Sequence, residues 1–238
     1  MILLLCGSGA DAQDKVTRET FAYGDRQRQF FLYVPDTVKA DSPAPLLVAL
    51  HGSGRDGASL VNPWKNLARK EGIIVVGPNS LDRAGWNLKS EGPDFFLALV
   101  QAVTAKYPVD PRRMYLFGHS AGAIQGLIMG ILEAEYFAAV AVHAGSLPKE
   151  TWGLIDKADR KIPMAIWVGT NDALFPMPSV SATKTALEAK GIPIQLRPIN
   201  NHDHNYYGRS DEINREAWTF LKAVKLDNDP KFKRYETR

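Results

Sequence analysis

Short apolar runs recur along the chain, most of them closed by glycine, proline or a small polar residue. Residues 28–35 (RQFFLYVP) read as a strand. Residues 45–52 (PLLVALHG) are apolar without alternation, the pattern of a strand buried on both faces. Residues 73–78 (IIVVGP), 113–120 (RMYLFGHS), 137–145 (FAAVAVHAG) and 162–170 (IPMAIWVGT) repeat that pattern, and 192–199 (IPIQLRPI) is a more polar version of it. Helix-like stretches lie between them. Asp94 is expected to cap a helix over 95–107, and a second follows Ser120. A third ends at Gly191, a residue suited to stop a helix, and a fourth covers 212–225. Strands alternating with helices predict an α/β fold: a doubly wound, mostly parallel sheet with helices on both faces. In such sheets ligands sit beyond the carboxyl ends of the strands, so the residues just after each apolar run carry the chemistry.

Four of those ends stand out. After RMYLF comes GHSAG, residues 118–122, a G-x-S-x-G between a predicted strand and a predicted helix. Such a turn strains the backbone at Ser120, demands small neighbours, and lifts the hydroxyl above the sheet at a helix N-terminus. There the N–H of Ala121 can face a developing oxyanion. After PLLVAL comes HGSG, where the N–H of Ser53, or failing that of Gly54, is the expected second donor. After PMAIWV comes GTNDALFP, with Asp172 a few residues past a buried strand; Asp156 and Asp159 fall at the wrong end of that strand. The stretch NNHDHNYY, residues 200–207, follows the next strand and supplies His202 and His204. A serine hydroxyl needs a base to take its proton, and the order Ser, Asp, His calls for a late histidine without choosing between these two.

Composition narrows the alternatives. The chain has 238 residues, 45% hydrophobic and 23% charged, enough for one sizeable core. A net charge of +3 and the lack of a basic helix argue against nucleic acid as a partner. His-x-His offers two metal ligands at most, no H-E-x-x-H is present, and Cys6 is the only cysteine, so no metal and no cofactor are expected. Nothing in the pattern specifies an oligomeric state. The apolar run 1–6 is too short to span a membrane. Ala10-Asp11-Ala12 fits a signal-cleavage site, so residues 1–12 are expected to be a signal peptide. That segment lacks a basic start and has a clipped apolar core, as it would if translation began further upstream. Residues 13–225 would form the catalytic domain and 226–238 a solvated, locally basic tail. The protein is then expected to be secreted or periplasmic, and cytoplasmic if the segment is not a signal.

The stretches FFLYVP, LLVALHGSG, VDPRRMYLFGHSAG, GTNDALFP and DHNYY resemble the α/β-hydrolase superfamily over residues 20–224. More narrowly the chain is similar to the group of polyhydroxybutyrate depolymerases, feruloyl and acetylxylan esterases and phospholipase/carboxylesterase-type enzymes. The resemblance implies a triad of Ser120, Asp172 and a histidine of HDHNYY. Depolymerases often carry His-x-Trp-Pro at the last position. DHNYY looks instead like the Asp-His-Ser/Asn-Tyr stretch of esterase D-type enzymes, which implies His204. It also implies a serine carboxylesterase acting on an ester substrate, with Trp86 in RAGWNL either lining the cleft or anchoring a loop. A prolyl-oligopeptidase-like peptidase and a non-catalytic binding member of the fold are the competing readings. The first usually carries a propeller, and the second would be expected to lose one of the three residues.

Overall fold

A computed structural model describes residues 15–232. Its eight strands form one sheet: β1 (Thr17–Tyr23), β2 (Arg26–Tyr33), β3 (Ala44–Leu50), β4 (Ile74–Pro78), β5 (Val109–His119), β6 (Ala139–His143), β7 (Met164–Gly169) and β8 (Ile194–Ile199). The order across the sheet is β1-β2-β4-β3-β5-β6-β7-β8. The β1–β2 hairpin and the β2–β4 pair are antiparallel, and the remaining pairs are parallel.

The unbroken apolar runs are explained by what covers each face. Every residue of β3 is buried. Leu46, Val48 and Leu50 point with Val140, Val142 and Ile166 into one layer, against α2 (Pro93–Thr104), α3 (Ala121–Leu132) and α4 (Met177–Ala189). Leu47 and Ala49 point with Tyr115, Phe117 and Ala141 into the opposite layer, against α1 (Ala58–Glu71) and α5 (Ser210–Leu221). Successive side chains of a strand face opposite ways, so a strand covered on both sides must be apolar at every position.

The expected elements are present with some differences. Asp94 does not cap α2. Pro93 opens the helix after Gly92, and Asp94 sits inside the first turn, where its charge suits the helix dipole. Gly191 follows the end of α4 at φ +77°, a left-handed conformation that glycine adopts at little cost. Strand β1, helix α1 and a 3-10 segment at Lys149–Lys157 add to the elements that the apolar pattern predicts. Packing continues past residue 225: Leu226 is buried and its N–H donates to the Arg112 carbonyl, while the Phe232 ring lies 5.6 Å from that of Tyr136. The expected signal segment lies outside the described residues. Among the described residues no helix is long and apolar enough to cross a membrane.

Candidate active site

The strand ends converge as the doubly wound topology requires. Ser120 joins β5 to α3 with φ 58° and ψ −120°, a region that a side chain makes costly. The surroundings hold it there. Its N–H donates to the His143 carbonyl at 3.1 Å. A Cβ at Gly118 would run into the Gly122 carbonyl, and one at Gly122 into the Leu50 carbonyl at the end of β3. The two glycines of GHSAG are therefore required by the close approach of backbone to backbone.

His204, after β8, brings Nε2 to 3.0 Å from the Ser120 hydroxyl and Nδ1 to 2.9 Å from Asp172 Oδ2. Asp172, after β7, is buried, and its other oxygen accepts the N–H groups of Leu174 and Phe175, both at 2.9 Å. A carboxylate only accepts, so the proton of a neutral His204 rests on Nδ1 and Nε2 is left to receive the serine proton. The Phe175 ring is stacked on His204 at 5.7 Å.

The HGSG turn is set by His51. Ser80 N–H can only donate, and it reaches His51 Nε2 at 3.1 Å. Burial lowers the His51 pKa and favours the neutral ring, so its proton sits on Nδ1, which donates to the Gly52 carbonyl at 2.9 Å. In a trans peptide the carbonyl and the next N–H point in opposite directions, which turns the Ser53 N–H away from His51. The Gly54 N–H is already bonded to the Arg83 carbonyl at 2.7 Å, leaving Ser53 as the free donor of the two. Ala121 is the first residue of α3, where an N–H has no intrahelical partner. Trp86 is not among the residues lining the cleft. Its indole N–H donates to the His51 carbonyl at 2.9 Å and its ring packs on His51 and Phe96, which braces the turn from outside.

Three histidines outside the candidate triad form a buried chain. His119 Nδ1 lies 3.1 Å from His143 Nδ1, and His143 Nε2 lies 3.2 Å from His202 Nε2. Each link needs one N–H and one lone pair, which three neutral rings supply. Burial, followed by the charge that His204 can carry, pushes the His119 pKa down to about 3. Burial and the neighbouring imidazoles take His143 down to about 2, and burial leads the lowering at His202. The chain joins the end of β5 to the end of β6 and to the loop that bears His204. Sequence spacing gave no sign of it, because it depends on His119 and His143 being paired across β5 and β6. Among the described residues, no group of three or more His, Cys, Asp or Glu is arranged to hold a metal ion.

Ser120 and His204 line a cleft of about 470 Å³ together with Ser53, Arg55, Leu174 and Tyr207. A larger groove, about 740 Å³, lies beside β8 and α5 but contains neither Ser120 nor His204. The chemistry therefore assigns the site to the smaller cleft. A mostly parallel eight-stranded sheet with Ser, Asp and His beyond its strand ends defines an α/β-hydrolase. The chain belongs to the Esterase family ("Putative esterase"), whose model matches residues 22–221. It is 30% identical over 148 residues to "Probable feruloyl esterase C" of Aspergillus oryzae, covering 59% of this chain and 54% of that protein. It is 28% identical over 196 residues to acetylxylan esterase A of Aspergillus ficuum, covering 73% and 64%. The match thus spans about half the length of the first of these relatives. Among solved structures, S-formylglutathione hydrolase (FrmB) from Staphylococcus aureus superposes with a TM-score of 0.72 at 17% identity, covering 87% of this chain and 98% of that one.

Proposed function

We propose that the protein is a serine carboxylesterase that works through an acyl-enzyme. The observation that carries this reading is the unbroken line from Asp172 through His204 to Ser120, with links of 2.9 and 3.0 Å. Ser120 Oγ attacks the ester carbonyl while His204 Nε2 takes its proton. The tetrahedral intermediate collapses, and the leaving alcohol departs with that proton. A water then attacks the acyl-enzyme with His204 again as base, and the acid is released as Ser120 regains its proton. Asp172 holds the tautomer and stabilises the imidazolium. The N–H groups of Ser53 and Ala121 would hold the oxyanion, each worth about 3–4 kcal/mol in comparable sites. The relatives' names point toward feruloyl esters and acetylated xylan as substrates.

The test is hydrolysis of p-nitrophenyl esters of graded length, methyl ferulate and acetylated xylan, set against a chromogenic dipeptide amide. Ser120→Ala should lower esterase kcat by roughly 10⁴–10⁶ with the fold retained. A fluorophosphonate should label the wild type and not this variant. Persistent labelling would move the nucleophile elsewhere, and preferential cleavage of the amide would favour a peptidase. Export is proposed on the Ala10-Asp11-Ala12 pattern. Exported protein should begin at Gln13 on N-terminal sequencing, and an uncleaved cytoplasmic chain would reject this.

A further inference from the structure

We infer that Arg55 is an anion-binding subsite beside Ser120, so that the esters this cleft takes best carry a carboxylate. The inference rests on the ester-hydrolase reading above and names the substrate class of the same site. Arg55 follows the oxyanion turn by two residues and lines the cleft that holds Ser120 and His204. Its backbone is fixed: Gly54 turns the chain at φ +74°, and the Arg55 N–H donates to the Gly52 carbonyl at 3.2 Å. Its side chain is also held. The guanidinium carbon sits 4.9 Å from the ring centre of Tyr207, on the loop that carries His204. The cation therefore bridges the oxyanion turn and the histidine loop. A guanidinium resting on an aromatic ring keeps its in-plane N–H groups free, and their fork matches the two oxygens of a carboxylate.

Several other arginines of the described chain are engaged by acceptors. Arg28 pairs with Glu91, Arg113 with Asp110 and Arg209 with Glu212, while Arg83 donates to the Gly54 carbonyl. Arg55 has no carboxylate within ion-pair distance and no side-chain hydrogen bond among the described residues. Asp203 lines the same cleft. It is exposed, accepts the Asn205 N–H at 2.8 Å and makes no ion pair with Arg55, so the guanidinium is not neutralised. With His119 held neutral, Arg55 is the one permanent cation among the described residues that line the cleft.

The experiment compares matched esters that differ by a carboxylate. On the acyl side the pair is p-nitrophenyl hydrogen glutarate and p-nitrophenyl pentanoate. On the alcohol side it is 4-carboxyphenyl acetate and phenyl acetate. The readout is the anionic-to-neutral ratio of kcat/KM in wild type, Arg55→Gln and Arg55→Lys, which cancels any general loss of folded enzyme. For at least one pair the ratio should fall about tenfold in Arg55→Gln and only partly in Arg55→Lys. High salt should lower the wild-type ratio and leave that of Arg55→Gln unmoved. The pair that responds tells which side of the ester carries the charge. Ratios for both pairs that agree within about twofold between wild type and Arg55→Gln would overturn the subsite while leaving the esterase reading intact. A wild type that hydrolyses none of the four esters would overturn the esterase reading, and this inference with it.

Discussion

His202 and His204 stand two positions apart and face different partners. In an extended strand, side chains two apart share a side. This loop is not extended: Asn201 has φ 55°, and the Tyr206 N–H turns back to the His204 carbonyl at 3.0 Å. His204 thereby meets Ser120 and Asp172, and His202 turns down to His143. His204→Ala is expected to cost on the order of 10⁴ or more in kcat, and the loss should not add to that of Ser120→Ala. His202→Ala removes one hydrogen bond beneath the site, and its cost should be about tenfold at most. Measuring kcat/KM for both single variants decides between them. A severe loss in His202→Ala beside a mild one in His204→Ala would reverse the roles.

Among the elements, legibility followed burial. Strands β3 to β7 were readable as apolar runs because both their faces are covered. Strand β1 buries only Phe21 and so leaves no pattern. Helix α1 was obscured by Pro63 within it, although Leu60, Val61, Trp64 and Ala68 make a buried stripe at helical spacing. The GHSAG turn was legible because its glycines are dictated by local backbone contacts. Arg55 and the histidine chain were not, since each depends on a partner brought from another strand end. At the end of α3, Glu133 illustrates a cost that an apolar helix can hide. Burial raises its pKa to about 8. The folded protein then keeps this carboxyl protonated while the unfolded chain ionises near pH 4.5, so its contribution to stability is lost as pH rises from about 4.5 to 8. Glu133→Gln is expected to gain about 1–3 kcal/mol on the wild type by pH 8 and little at pH 4.5. Urea unfolding at the two pH values checks it, and equal differences at both would contradict it.

For the molecule as a whole, the buried histidines make stability sensitive to acid. In the unfolded chain they protonate near pH 6.5, whereas His119 and His143 resist down to about 3 and 2. Between those values the unfolded state binds more protons, so the contribution of these two rings to stability is intact above about pH 6.5 and declines as pH falls below it. Each ring can contribute up to about 1.4 kcal/mol per pH unit. His143→Asn should make the fall in unfolding free energy between pH 6.5 and 5 shallower by roughly that amount, and parallel slopes would count against it. The conformation of Ser120 has a different consequence, one of timing. Its unfavourable backbone angles are held by β6 through the His143 carbonyl and by the close approach of β3 to Gly122. Parallel strands pair only after long loops close, which is slow. During refolding from denaturant, helices should therefore return before the β3–β5–β6 centre is aligned, and a competent nucleophile should emerge last. Fluorophosphonate reactivity is expected to recover later than the far-ultraviolet circular dichroism signal, which makes the elbow a built-in reporter of the completed sheet.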